Sequence, residues 1–258
     1  MHKIVLITGA TSGFGKAIAE KFASGNWNCI ITGRRADKLH AFADELREKY
    51  SVRVLSLVFD VQHNDEVRQN LENLPEEWKD IEVLVNNAGL ALGRETFDNA
   101  SISDWDTMID TNVKGLLYVT KAVLPYMTQK NRGHVINIGS IAGKEVYEKG
   151  NVYCASKFAV DAITKALRID MLPHKIKVTA IHPGAAETEF SIVRYKGDAD
   201  KAKQSYEGFT PLYAEDIADI AWYCTNLPAH VCINDLVVTC TAQASAVHFY
   251  KEKMIALL

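Results

Sequence analysis

No stretch of the sequence approaches the roughly 20 consecutive apolar residues needed to cross a bilayer, which excludes a helical membrane span. Neither sign of charge dominates: 29 Lys and Arg stand against 32 Asp and Glu, a formal charge of −3. That balance argues against nonspecific nucleic-acid or anionic-membrane binding. The five cysteines (Cys29, Cys154, Cys224, Cys232, Cys240) are odd in number and widely spaced, with no C-x-x-C. A disulfide framework and a cysteine zinc site are thereby excluded. The eight histidines show no metal-ligand spacing, so no metal is expected. Internal repeats, low-complexity tracts and Pro- or Ser-rich linkers are also missing. The four-residue apolar opening, Ile4 to Ile7, breaks at Thr8-Gly9, too short for a signal-peptide core and suited to a first strand. The expectation is a cytoplasmic protein of a reducing compartment.

What the 258 residues do contain is an alternation of apolar runs and amphipathic stretches. Strands are predicted at Lys3 to Thr8, Asn28 to Thr32, Val52 to Asp60, Ile81 to Asn86, His134 to Ile138 and Lys177 to Ile181. Helices are predicted at Lys16 to Ser24, Ala36 to Tyr50, Asp65 to Leu74, Trp105 to Gln129 and Val152 to Leu172. This rhythm with short connections implies a single α/β domain: a Rossmann-type, doubly wound parallel sheet with helices on both faces. His182-Pro183-Gly184 is expected to end the last of these strands. The polar segment from Glu187 to Pro211 breaks the rhythm and reads as an insertion over a site (187–211).

The first strand runs into Thr8-Gly9-Ala10-Thr11-Ser12-Gly13-Phe14-Gly15, where a helix begins. Glycines there allow a tight turn and let backbone N–H groups approach a pyrophosphate at the helix N-terminus. A phosphate loop of the G-x-x-x-x-G-K-[ST] type fails by one residue of spacing and by Ala17, which offers no hydroxyl for magnesium. The second strand ends in Thr32-Gly33-Arg34-Arg35 and has no carboxylate until Asp37. NAD asks for an acidic residue at that place, whereas arginine accommodates a 2′-phosphate, so NADP(H) is the expected cofactor. Asp60-Val61 is a candidate partner for the adenine, and Asn86-Asn87-Ala88-Gly89 places small groups beside the cofactor's path.

Tyr153 and Lys157 lie four residues apart and share a helix face. Ser140 follows an apolar strand, at the end where open α/β sheets place ligands. A neighbouring ammonium is expected to lower the phenol's pKa from about 10, so that Tyr153 exchanges a proton with a carbonyl or alcohol oxygen. Ser140 would hold that oxygen, and a nicotinamide would carry the hydride.

As a set, Thr8-Gly9-x-x-x-Gly13-x-Gly15, Asp60, Asn86-Asn87-Ala88-Gly89, Asn112, Ser140, Tyr153-x-x-x-Lys157 and Pro183-Gly184 resemble the short-chain dehydrogenase/reductase family from about Lys3 to about residue 245. The resemblance implies Tyr153 as general acid/base and Ser140 as substrate polariser. Lys157 would lower the tyrosine pKa and bind the nicotinamide ribose, and Asn112 would hold a relay water. Cofactor contacts are implied at Gly9, Thr11, Ser12, Gly13, Phe14, Gly15, Arg34, Arg35, Asp60, Val61, Asn87, Ala88, Gly89, Tyr153, Lys157, Pro183, Gly184, Ala186 and Thr188. Asn86 to Gly93, Asp104 to Asn112, Thr188 to Asp198 and Leu227 to Val231 are similar to the NADP-dependent 3-hydroxy acid dehydrogenases, which include serine 3-dehydrogenase and malonic semialdehyde reductase activities. That likeness implies a small-molecule substrate bearing a carboxylate, with Arg194 as its anchor beside Ser140 and Tyr153, and a homotetramer. His182 and the Ala185-Ala186-Glu187 run depart from the subgroup's pattern.

Two other functions fit the same residues: reduction of a neutral ketone or aldehyde, and a dinucleotide-sensing binding protein. Cys154 reads as packing, and Trp222, Tyr223 and Phe209 as core or subunit contact. The segment Phe249 to Leu258 reads as a docking or frayed end.

Overall fold

The computed structural model describes residues 2–252, so the last six residues of the C-terminal segment lie outside it. Seven parallel strands form one sheet: β1 (Ile4–Ile7), β2 (Asn28–Gly33), β3 (Val54–Val58), β4 (Ile81–Asn86), β5 (Gly133–Ile138), β6 (Ile176–Pro183) and β7 (Asp235–Val238). Their spatial order is β3-β2-β1-β4-β5-β6-β7. The chain winds outward from β1 in one direction and from β4 in the other, so a crevice opens between them at the strands' carboxyl ends.

Strand alternation sends Val5 and Ile7 to one face of the sheet and Ile4 and Leu6 to the other. The first face is covered by α1 (Gly13–Ser24), α2 (Ala36–Tyr50) and α9 (Ala214–Thr225), through Phe22, Leu39, Leu46 and Ile217. The second is covered by α3 (Asn64–Leu71), α5 (Leu116–Thr128) and part of α6 (Asn151–Asp170), through Val67, Val123 and Leu167. Because both faces are buried, the central strands are apolar at nearly every position, as their sequences anticipated. Trp222 of α9 packs edge-on against Phe22 and near Trp27, so it belongs to the core, whereas Tyr223 is exposed.

Several predicted boundaries are corrected. The single helix expected from Trp105 to Gln129 is α4 (Ile102–Ile109), a wide π-turn at Asp110–Gly115, and then α5. Asn112 sits in that turn and is bonded through both side-chain atoms to the backbone of Leu90. β6 does not stop at Ile181: His182 and Pro183 pair with Val237 and Val238 of β7, a strand the sequence reading lacked, as it lacked α9. The insertion at 187–211 contains two short helices, α7 (Glu189–Arg194) and α8 (Ala199–Gln204). Its ends are tied by Glu187 N–H to the Leu212 carbonyl and Leu212 N–H to the Ala185 carbonyl.

Candidate active site

The crevice at the sheet's carboxyl edge is a cleft of about 1180 Å³, roofed by α7 and α8. Every residue expected at the cofactor, the substrate or the reaction lines it except Gly15 and Asn112, which lie just behind its wall.

At one end the glycine turn is built as its composition required. Gly9 and Gly13 take φ of 67° and 51°, backbone that other residues rarely adopt. A Cβ on Gly15 would lie 2.4 Å from the Gly9 carbonyl oxygen and the Asn87 amide nitrogen, so only glycine fits where α1 meets the turn. The Asn87 amide donates to the carbonyls of Thr8 and Gly9, and the Thr8 hydroxyl accepts the N–H groups of Asn87 and Ala88. Ser12 gives α1 no side-chain cap and the first turn carries no acid, so its N–H groups and dipole favour an anion.

The arginines are both present but differently engaged. Arg35 donates to the hydroxyls of Thr11 and Ser12 and to the Glu189 carboxylate at 2.9 Å. Arg34 pairs with Asp60 at 3.2 Å. Asp60 also accepts from Gln62, so its carboxylate is occupied within the wall expected to face the adenine.

At the other end, Tyr153 and Lys157 are 7% and 6% exposed on α6. The Lys157 ammonium donates to the Ile138 carbonyl at 3.0 Å. Asn112 donates to the Ser156 hydroxyl, and both its Oδ1 and the Lys157 Nζ flank Gly89. Helical spacing suggested a phenol made more acidic by a neighbouring ammonium. The protein by itself does the reverse: burial and the nearby Tyr147 raise the Tyr153 pKa, outweighing the Ser140 hydroxyl bond and the Arg194 charge that lower it. Burial also brings Lys157 down to about 8, so the ammonium that was to act on the phenol is itself disfavoured.

Arg194, at the end of α7, reaches back under the roof. Its guanidinium lies 5.5 Å from the Tyr147 ring and 5.4 Å from the Tyr153 ring and donates to the Tyr147 hydroxyl at 2.9 Å. Its Nε is fully enclosed and has no partner among the described residues. Arg194 lines the cleft beside the Tyr153 ring, where a guanidinium can meet an anionic oxygen.

The sequence marked Glu189 and Phe190 only as part of the segment expected over the site, and Tyr147 and Gln243 not at all. The Phe190 ring leans on Tyr153 with centroids 5.6 Å apart, and the Gln243 amide oxygen accepts the Ala185 N–H. None shares a periodic face with the residues it joins; only the tertiary fold brings them there. Phe209 lines the cleft and stacks on Phe249, so the described part of the C-terminal segment docks on its own chain. Cys154 is buried, as expected of packing.

A glycine turn at the crevice of a doubly wound sheet, with a half-buried serine beside a buried tyrosine and lysine at its far end, defines a nucleotide-dependent oxidoreductase. The chain belongs to the short chain dehydrogenase family, whose sequence pattern it matches over residues 3–198. Among similar proteins, the NADP-dependent 3-hydroxy acid dehydrogenase YdfG of Salmonella typhi is 49% identical over 244 residues, 94% of this chain and 97% of that one. The sulfoacetaldehyde reductase 2 of Chromohalobacter salexigens is 46% identical over 245 residues, covering 95% and 96%. A closed form of serine dehydrogenase solved with NADP+ superposes with a TM-score of 0.90 at 45% identity, covering 97% of this chain and all of that one.

Proposed function

We propose that the protein is an NADP(H)-dependent oxidoreductase that moves a hydride between the nicotinamide and the 3-carbon of a small 3-hydroxy acid, of the serine, allo-threonine or 3-hydroxypropionate type. The observation that carries the substrate class is the Arg194 guanidinium, which lines the cleft beside Tyr153 and pairs with no carboxylate among the described residues. The relatives' names point the same way, toward hydroxy acids and, in one case, a sulfonate-bearing aldehyde.

The residues present fit the cofactor. The Gly9–Gly15 turn and the uncapped start of α1 suit a pyrophosphate, and Arg35 with the Thr11 and Ser12 hydroxyls suits a 2′-phosphate. Asp60, Val61, Asn87, Ala88 and Gly89 would flank the adenosine side, and Pro183, Gly184, Ala186 and Thr188 the nicotinamide side. When bound, the nicotinamide supplies or takes the hydride, and its oxidised ring brings a positive charge that favours phenolate nearby.

The chain's own residues manage the oxygen and its proton. In reduction the Tyr153 phenol donates a proton to the carbonyl oxygen, and in oxidation it takes the alcohol's proton. Ser140 donates a hydrogen bond to the same oxygen and holds it during the charge change. Lys157, brought down to about 8 by burial, passes protons onward past Gly89 and Asn112. Arg194 grips the carboxylate and fixes which carbon meets the hydride. We further infer a cytoplasmic homotetramer.

The test is turnover followed at the nicotinamide absorbance with NADP+ or NAD+ and a panel of alcohols, half of them 3-hydroxy acids. Turnover confined to NADP+ and 3-hydroxy acids is expected, and turnover only with neutral alcohols would remove the carboxylate from the reading. Tyr153→Phe should lower kcat by about 100-fold or more and leave NADP+ binding intact. A protein that binds NADP+ but turns over nothing would be a sensor.

A further inference from the structure

His182 is the penultimate residue of β6, directly before Pro183, and is fully buried, yet it touches neither the cleft nor any step of the proposed chemistry. Its Nδ1 lies 3.2 Å from the main-chain oxygen of Ser140. A carbonyl only accepts, so Nδ1 carries the proton, and in the neutral ring Nε2 is the bare nitrogen. The imidazole lies flat against the chain just before Ser140: a Cβ on Gly139 would stand 2.4 Å from Nδ1. No other side chain could be accommodated at Gly139 with the ring in place.

Behind the ring lies a charged knot. Nε2 has no hydrogen-bond partner among the described residues and stands 3.7 Å from an Asp161 oxygen and 3.6 Å from an Asp235 oxygen. The Lys144 ammonium bonds those same two oxygens at 2.8 and 2.7 Å, and Lys165 takes the second Asp161 oxygen at 2.7 Å. Asp161, His182 and Asp235 have the makings of a metal site, but the cation at their centre is Lys144. The knot joins the elements that carry the reaction. Lys144 follows Ser140 by four residues, Asp161 lies one helical turn beyond Lys157, His182 precedes Pro183-Gly184, and Asp235 opens β7. Burial and the Lys144 charge hold His182 below its ordinary pKa against the pull of the two carboxylates, in keeping with a neutral ring of fixed tautomer.

We propose that His182 is a positioning residue. Its Nδ1–H holds the Ser140 carbonyl and so aims the Ser140 hydroxyl, while Lys144, Asp161 and Asp235 keep the ring seated. The proposal rests on the reading of Ser140 as the group that holds the substrate oxygen.

The test uses isosteres of the two ring nitrogens. The amide nitrogen of asparagine falls where Nδ1 stands, and that of glutamine falls where Nε2 stands. Against wild type, His182→Gln and His182→Leu should each lose about 10- to 30-fold in kcat, the scale of misdirecting one hydrogen-bond donor at a reacting oxygen. His182→Asn should restore kcat to within about 3-fold, because its donor reaches the Ser140 carbonyl. Kd for NADP+, measured by titration calorimetry on the same folded samples, should be the same in all three. Equal losses in Asn, Gln and Leu would overturn the proposal, since ring volume would then be what matters; so would full activity in all three. Ser140→Ala serves as the control on the underlying reading. If it keeps kcat, the role of Ser140 fails; if it loses kcat while the three His182 variants do not differ, only the positioning role fails.

Discussion

The two ends of the cleft hold their cations by opposite means. Arg34 and Arg35 stand 57% and 42% exposed, and each already has a carboxylate: Asp60 for one, Glu189 for the other. Arg194 and Lys157 lie inside, with no carboxylate on either among the described residues: one bonds a tyrosine hydroxyl, and the other rests on a main-chain carbonyl. Exposed charges keep their hydration and interact weakly, so the outer pair can recognise a phosphate at little cost to folding. Buried cations forfeit hydration and are destabilising until something anionic or the reaction itself makes use of them. On the proposed reading, one end selects among cofactors and the other carries the chemistry.

That contrast is best broken at Arg194. Arg194→Leu should raise KM for a 3-hydroxy acid by about 100- to 1,000-fold, the loss typical of a buried charged hydrogen bond, and leave KM for a neutral alcohol nearly unchanged. Steady-state kinetics with both substrates check it, and an equal effect on both would mean that Arg194 only supports the roof. Lys157 offers the stability side of the same contrast. Its folded pKa of about 8 lies below the unfolded value, so between those values the folded protein binds fewer protons. The penalty is therefore fully present below pH 8 and fades as pH rises toward about 10.4. Lys157→Met should abolish turnover yet stabilise the fold by up to about 3 kcal/mol at pH 7, with the gain vanishing near pH 10. Urea unfolding at the two pH values measures it.

How much of this was legible depended on burial geometry. β1, β2, β4 and β5 are enclosed on both faces and read as largely apolar runs rich in Ile and Val. β7 has four residues at the sheet's edge, with exposure alternating along it, and carried too little apolar signal to be seen. α9 does carry helical spacing in Ile217, Ala218, Ala221 and Cys224, but it follows an aperiodic insertion and passed unnoticed. The π-turn at Asp110–Gly115 was hidden because apolar periodicity continues through it. The glycine turn, Ser140, Tyr153 and Lys157 were legible because their spacing is local. Tyr147, Phe190 and the direction of the Tyr153 pKa were not, since they depend on how the roof closes over α6.

The outer arginines should give smaller effects, confined to the cofactor. Arg35→Gln is expected to raise Kd for NADP+ by about 10-fold, as befits a solvated guanidinium–phosphate contact, with Kd for NAD+ unchanged; a parallel rise in both would remove the 2′-phosphate from this corner.

The smallest change tests whether the outer end is self-neutralised. Burial raises the Glu189 carboxyl's pKa, but bonds from Arg35 and Ser12 and the charges of Arg35 and Lys38 outweigh it and hold it below its ordinary value. Glu189 is thus an anion sharing the guanidinium that a 2′-phosphate needs. Two like charges on one partner in water-exposed surroundings oppose each other by somewhat less than 1 kcal/mol. Glu189→Gln should therefore tighten NADP+ binding by about 3-fold and leave NAD+ alone, read by titration calorimetry at low salt. Weaker NADP+ binding would mean that Glu189 instead orients Arg35, and the outer end would then depend on a preset ion pair, much as the inner end depends on Tyr147 to set Arg194.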